Sequence, residues 1–282
     1  MGTLPFDNIE ITAEKAVFEG EKLKIGNFEV SPSLGTSTMV ASACITCKAL
    51  KLESPYFITA GDIGDGRKSK ELYQYVAINI SSINPSVLAM HYIMPDITGI
   101  RSIFDSIETQ KMAIIADAGA MYAAKAAGLS KKIDIFTPDA GEMAYLADPK
   151  ATHPAYVQHL LFELDASETI TLIKKAYEYG NVPDVLLVKG PIDYIVERGE
   201  VVETIDEPCI PALEAMGGTG DSLTGILSAL IYAGFEKVEA CIKAARINRI
   251  AGKLANPDPS TSILEIIVKI KDALREVAIS RQ

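Results

Sequence analysis

The sequence predicts an α/β fold of three layers (α/β/α), with a mostly parallel central sheet and an extra strand region at its N-terminus. Two observations predict it. Beyond about residue 50, short apolar runs alternate with helical stretches, the order that builds a parallel sheet covered on both faces. Before that, residues 8–30, "NIEITAEKAVFEGEKLKIGNFEV", alternate polar and apolar positions around the turn "EGEK", as short antiparallel strands do.

The elements follow in order. "SPSLGTS" offers Ser/Thr capping options, and a helix runs from it to about Leu50. Strands are predicted at "PYFITA" (55–60), "SVLAM" (86–90), "MAIIADA" (112–118), "IDIFTP" (133–138) and "DVLLVKG" (184–190). Helices are predicted among them at 68–79, 99–109, 141–147 and 167–179. "DYIVERGEVVET" (193–204) reads as a hairpin around "RGE" near the sheet edge. Three helices, 219–233, 236–255 and 262–278, finish the chain, separated by Gly234 and "NPDPS". No Pro/Gly/Ser-rich linker divides the sequence, so residues 1–282 are expected to form a single domain, with 1–30 as a strand-rich cover or interface segment.

Composition narrows the function. The 27 basic and 37 acidic side chains give a formal net charge of −10, which disfavours a nucleic-acid partner. An anionic ligand must therefore be met locally, by backbone donors, a helix end or one or two cations. "MGTLPFDNIE" lacks the basic start and apolar stretch of a signal peptide, and no apolar run approaches the ~18 residues of a membrane helix. The expectation is a cytoplasmic protein with no membrane partner. The "CITC" pair, Cys44 and Cys47, sits inside a predicted helix without histidine neighbours and reads as core packing. Only His91, His153 and His159 are present, none near a GxSxG signature, so a catalytic base is expected to be a carboxylate or a lysine.

The chemistry concentrates at "GGTGDSLTG" (217–225). Leu223, Ile226, Leu227, Leu230 and Ile231 fall on one helical face, so packing fixes the first turn of that helix. The first-turn N–H groups point outward at the positive end of the dipole, and Gly217, Gly218 and Gly220 leave room for an anion at the backbone. That arrangement suits phosphoryl transfer, with the backbone donors of the glycine turn stabilising the transferred phosphate and Asp221 positioned to accept a proton from an attacking hydroxyl. The same spacing also fits an aspartate that caps its own helix. A carboxylate beside an anion site is costly without a chemical role, which favours the catalytic reading. "GDIGDGRKS" (61–69) nearly imitates a P-loop, but Arg67 stands where the lysine belongs, and it is neither a P-loop nor a dinucleotide fingerprint. It reads as a strand-to-helix turn at the carboxyl edge of the sheet, where contact with a ligand remains open.

"FTPDAGEM" (136–143), "LLVKG" (186–190) and "GGTGDSLTG", in that order, resemble the ribokinase-like superfamily, and most closely its NAD(P)H-hydrate dehydratase and carbohydrate-kinase-like branch. The resemblance implies Asp221 as catalytic base and Gly218, Thr219 and Gly220 as anion hole. It implies Lys189, Gly190, Pro191, Ile192 and Asp193, with Gly217 and Gly220, as nucleotide-binding residues. Glu142 matches the acid that orients magnesium through water, although by itself it reads as a helix-capping carboxylate. Asp117 and Asp139 fall on the substrate side. ATP or ADP with Mg2+ are implied, as is assembly into a homo-oligomer. The sequence departs from the branch in three places. Asp139 stands where a histidine is usual, "HYIMPDITG" (91–99) replaces a glycine-rich turn, and an early lysine-glycine loop has no counterpart.

The leading expectation is therefore nucleotide-dependent dehydration of NAD(P)H hydrate by phosphorylation and elimination. The alternative is an ATP-dependent kinase of a small alcohol, a sugar or vitamin precursor, using the same site. A third class is a nucleotide-binding protein without turnover, for which a carboxylate beside an anion hole has no use.

Overall fold

The computed structural model describes residues 1–107, 111–151, 166–213, 216–258 and 260–277. Strands β1 (Gly2–Leu4), β2 (Thr12–Glu19), β3 (Lys22–Ile25) and β4 (Phe28–Val30) precede helix α1 (Thr36–Ala49). Then come β5 (Tyr56–Gly61), α2 (Arg67–Ile83), β6 (Val87–Met90), α3 (Ile97–Ser106), β7 (Ala113–Ala116) and α4 (Gly119–Ala126). β8 (Ile135–Phe136), α5 (Ala140–Ala147), α6 (Ala166–Glu178), β9 (Val185–Val188), β10 (Asp193–Glu197) and β11 (Glu200–Ile205) follow. Helices α7 (Thr219–Tyr232), α8 (Lys237–Ala255), α9 (Ile263–Ile267) and α10 (Ile270–Glu276) complete the series. No helix among the described residues is long and apolar enough to cross a membrane.

The chain divides into two compact units, and strand β5 carries it from one to the other. The first unit is Met1–Ile11 with Ala60–Thr204. Its sheet has the order β11-β10-β9-β8-β7-β6, parallel from β6 to β9 and antiparallel where β10 turns back on β9. Every side chain of β9, Val-Leu-Leu-Val, is buried, as a parallel strand covered on both faces requires. Helices α2 and α3 cross closely because α3 presents Gly99, where an added Cβ would lie 2.6 Å from the Tyr73 ring. Lys125 ends α5: its ammonium donates to the carbonyls of Tyr145, Asp148 and Ala151, and lies 3.9 Å from the centre of the Tyr145 ring.

The second unit is Thr12–Thr59 with Ile205 onward. Here β2, β3 and β4 form the expected antiparallel meander, joined around Gly20–Glu21. Helix α1 is buried along nearly all its length, and it lies against α7 at Gly225, where a Cβ would meet the Met39 carbonyl at 2.1 Å. Cys44 and Cys47 are buried in α1 and burial pushes their thiols up to about 12 and about 11, so they pack the core as the sequence predicts. Of the predicted buried face of α7, Leu223, Ile226, Leu227 and Leu230 are buried and Ile231 is half-buried.

Strand β1 and helix α4 are not among the predicted elements, and two predicted elements differ from the sequence expectation. "PYFITA" is not part of the parallel series, since Tyr56–Thr59 pairs antiparallel with Thr12–Lys15 of β2. A fully buried apolar run looks the same whichever neighbour it takes, so its pattern does not encode direction. The last predicted helix, 262–278, is interrupted at Val268–Lys269, whose backbone stays near helical values.

Candidate active site

The parallel strands of the first unit end in chemistry. β6 is followed directly by His91, β7 by Asp117 and β9 by Lys189, while Thr137, Pro138 and Asp139 follow β8. Register sets the first pair side by side, because Met90 pairs with Ala116 and the Asp117 N–H donates to the Met90 carbonyl. The Lys189 ammonium donates to both oxygens of Asp117, at 2.9 and 3.1 Å. His91 Nε2 lies 3.4 Å from Asp117 Oδ2, and the imidazole is fully buried. Asp117 is therefore a buried carboxylate shared between two basic groups. Its other backbone tie, Ala118 N–H to Oδ1 at 2.9 Å, comes from a residue held at φ 48°, ψ −129°. Alanine rarely adopts that conformation, at a cost of roughly 1–3 kcal/mol, and such strain gathers where a turn is dictated by a site.

Asp139 and Glu142 form a reciprocal cap on α5. The Glu142 N–H donates to Asp139 Oδ1 and the Asp139 N–H donates to Glu142 Oε2. The Tyr122 hydroxyl donates to the remaining oxygen, Glu142 Oε1, at 3.1 Å. Burial pushes the Glu142 carboxyl up to about 8; the Lys189 charge opposes this, and Asp117 and Asp139 add to it. A carboxyl raised above its free value of 4.5 contributes stability that is full below that value and is lost as pH rises through about 8. The melting temperature is accordingly expected to fall between pH 5 and pH 8.5. Glu142→Gln should flatten that slope, which thermal denaturation at a series of pH values measures.

The remaining predicted residues close turns. Asp193 is buried and its Oδ1 accepts from the Gly190 N–H at 3.2 Å, which shapes the Lys189–Asp193 corner that includes Pro191 and Ile192. In "GDIGDGRKS" the loop folds onto its own anion. The Asp62 carboxylate accepts from the N–H groups of Gly64, Gly66 and Ser69 and from the Ser69 hydroxyl at 2.7 Å. Donors that a P-loop would turn to phosphate are thus spent inside the protein.

In the second unit, Gly218 is the N-cap of α7 with φ 97°, and Thr219, Gly220 and Asp221 make the first turn. Asp221 does not cap its own helix. Its Oδ2 accepts from the N–H of Gly35, itself the N-cap of α1, at 2.6 Å. The turn is locked from behind: Asn248 Nδ2 donates to the Thr219 carbonyl, and the single proton of the Ser222 hydroxyl is within reach of both that carbonyl and Asn248 Oδ1. Gly218 is required both by its φ of 97° and by packing, since a Cβ there would lie 2.8 Å from buried Ile263; a Cβ at Gly217 would only displace the tip of exposed Leu34.

Lys189, Asp117, Asp139, Glu142 and Asp193 are thus gathered at one sheet edge of the first unit, and Asp221 with its glycine turn stands in the second. His91, Tyr122 and Asn248 carry no spacing signal in the sequence. His153 and His159 lie outside the described residues.

The family model described as NAD(P)H-hydrate dehydratase matches residues 94–271. The chain belongs to that family. Among its relatives is an uncharacterized protein of Methanocaldococcus jannaschii, 44% identical over 217 residues, covering 77% of this chain and 90% of the relative. An ADP-dependent (S)-NAD(P)H-hydrate dehydratase of Cenarchaeum symbiosum is 24% identical, covering 75% and 68%. Among solved structures, the ADP/ATP-dependent NAD(P)H-hydrate dehydratase of Bacillus subtilis, co-crystallized with ATP/Mg2+, matches with a TM-score of 0.57 and 17% identity, covering 84% of each chain. At that identity the match shows the fold, which is ribokinase-like α/β. The dehydratase family match begins after His91 and Tyr92, at a segment where the sequence departs from the branch.

Proposed function

We propose that the protein restores NAD(P)H from its hydrate, using ADP or ATP as phosphate donor. One observation carries the reading within this family: Asp221 stands in the first turn of a glycine-fronted helix, bound by the Gly35 N–H instead of capping that helix. In this reading Asp221 takes the proton of the substrate hydroxyl as its oxygen attacks the terminal phosphorus, and the bond from that phosphorus to the bridging oxygen of the nucleotide breaks. The N–H groups of Gly218, Thr219 and Gly220 receive the charge on the transferred group. Phosphate then leaves with the C–O electron pair, and loss of a ring proton restores the double bond of the reduced nicotinamide.

Lys189, Gly190, Pro191, Ile192, Asp193 and Gly217 take the nucleotide, and Asp117 and Asp139 the substrate. Because the Lys189 ammonium rests on Asp117, a nucleotide phosphate must compete with that carboxylate for it. Magnesium fits this residue set. Asp139 and Glu142 set two carboxylates side by side at the start of α5, the oxygen donors that a hydrated divalent cation takes. Glu142 would hold such an ion through water, and the ion when bound neutralises phosphate charge.

The second reading, a kinase of a small alcohol, rests on the same Asp221 and is favoured by Asp139 in place of the usual histidine and by the altered 91–99 segment. Phosphorus NMR of a reaction with NADH hydrate, nucleotide and magnesium separates the two. Release of orthophosphate with recovery of NADH supports the dehydratase, a stable phosphoester supports the kinase, and no change in the nucleotide signals rejects both.

A further inference from the structure

Residues 91–94 form a segment whose side chains alternate strictly between inside and outside. His91 and Ile93 are 0% and 3% exposed, whereas Tyr92 and Met94 are 54% and 41% exposed. The inner pair and the backbone pin the segment. His91 faces Asp117, and the Ile93 carbonyl lies where a Cβ on Gly119 would be 2.1 Å away, so only glycine admits it. The Tyr92 carbonyl accepts from the N–H and the hydroxyl of Thr3, at 2.8 and 2.7 Å. The Met94 N–H donates to Ser69 Oγ at 3.1 Å, and that hydroxyl is bound to Asp62. The self-filled loop at 61–69 is thus tied to Met94 through Ser69.

A segment fixed this firmly exposes two large apolar side chains on its outer side, beside a strand edge otherwise made of Asp117, Asp139 and Lys189. The Tyr92 ring is 4.8 Å from the His91 ring at 46°, and His91 is the residue that faces Asp117. Apolar side chains held in one geometry offer contact area at little entropic cost, and a tyrosine ring is suited to a ring partner.

The geometry points to Tyr92 and Met94 as the residues that select the acceptor, with an uncharged ring carrying a hydroxyl as the class selected. This deepens the reading above and rests on it, since the hydrated ring of NAD(P)H belongs to that class. The test measures KM for NADH hydrate and for the nucleotide separately in Tyr92→Ala, Met94→Ala and Tyr92→Phe. Direct binding of NADH, followed by its fluorescence without nucleotide, supplies a readout independent of turnover.

Tyr92→Ala is expected to raise the hydrate KM and weaken NADH roughly tenfold, the scale of one lost aromatic contact. Met94→Ala acts in the same direction, the nucleotide KM stays as it was, and Tyr92→Phe recovers most of the loss. Turnover of the hydrate by the native chain with KM and NADH affinity unmoved in both alanine variants would overturn this inference alone. Equal losses of nucleotide and NADH affinity would also overturn it, by placing the segment on the nucleotide side. If the native chain leaves the hydrate unchanged, the dehydratase reading falls. NADH binding lost in Tyr92→Ala would still uphold ring recognition here, and no NADH binding by the native chain would end it.

Discussion

Asp221→Asn is expected to lower turnover by about 10²- to 10⁴-fold, the contribution of a positioned general base, while the nucleotide dissociation constant stays unchanged. The substitution is nearly isosteric, and asparagine keeps a carbonyl oxygen to accept the Gly35 N–H that now binds Oδ2. It removes the negative charge and with it the capacity to take a proton. The Ser222–Asn248 lock behind the turn and the packing of Gly218 do not depend on the charge of Asp221, so the anion hole keeps its shape. Steady-state kinetics paired with calorimetric titration of nucleotide measures both quantities. Loss of nucleotide binding in step with turnover would assign Asp221 to binding instead.

Lys189→Met is the second large effect. The side chains of Lys189 and Asp117 are 14% and 2% exposed, and the ammonium touches both carboxylate oxygens. Removing one partner of such a buried pair typically costs about 3–5 kcal/mol, because the other charge stays desolvated. Denaturant unfolding should therefore show a marked fall in midpoint for Lys189→Met. Adding Asp117→Asn should return a large part of it, since the two positions share one interaction and their effects do not add. If Lys189→Met unfolds like the native chain, the pair is not a structural element and its lysine stands ready for phosphate at no cost.

Local patterns made most of the fold legible. The meander at residues 12–30, the apolar strands β6 to β9, the hairpin and the amphipathic α7 each declare themselves within a window of a few residues. What escaped is what depends on distant partners. The direction of β5 follows from its pairing with β2, some forty residues earlier in the chain at its near end. Helix α4 has no start signal, because its N-cap is the strained Ala118.

The site divides in the same way. Asp221 is visible through its glycines and the helix behind it, and Asp139 and Glu142 through the resemblance of "FTPDAGEM" to the family; that the two cap each other appears only in the structure. That Asp221 takes the Gly35 N–H across 186 positions, or that a lone histidine after β6 comes to rest against Asp117, has no counterpart in any short stretch of sequence. The glycine-rich 61–69 loop is the instructive case. Its spacing nearly imitates a P-loop but lacks the lysine, and folding turns its donors onto Asp62.

The most direct measurement is recovery of NADH absorbance from NADH hydrate in the presence of magnesium and either ADP or ATP, with Asp221→Asn alongside. The account predicts recovery that requires nucleotide, identifies the donor by which one supports it, and is abolished in the variant. Recovery that proceeds equally in Asp221→Asn, or none with either nucleotide in the native chain, would contradict it.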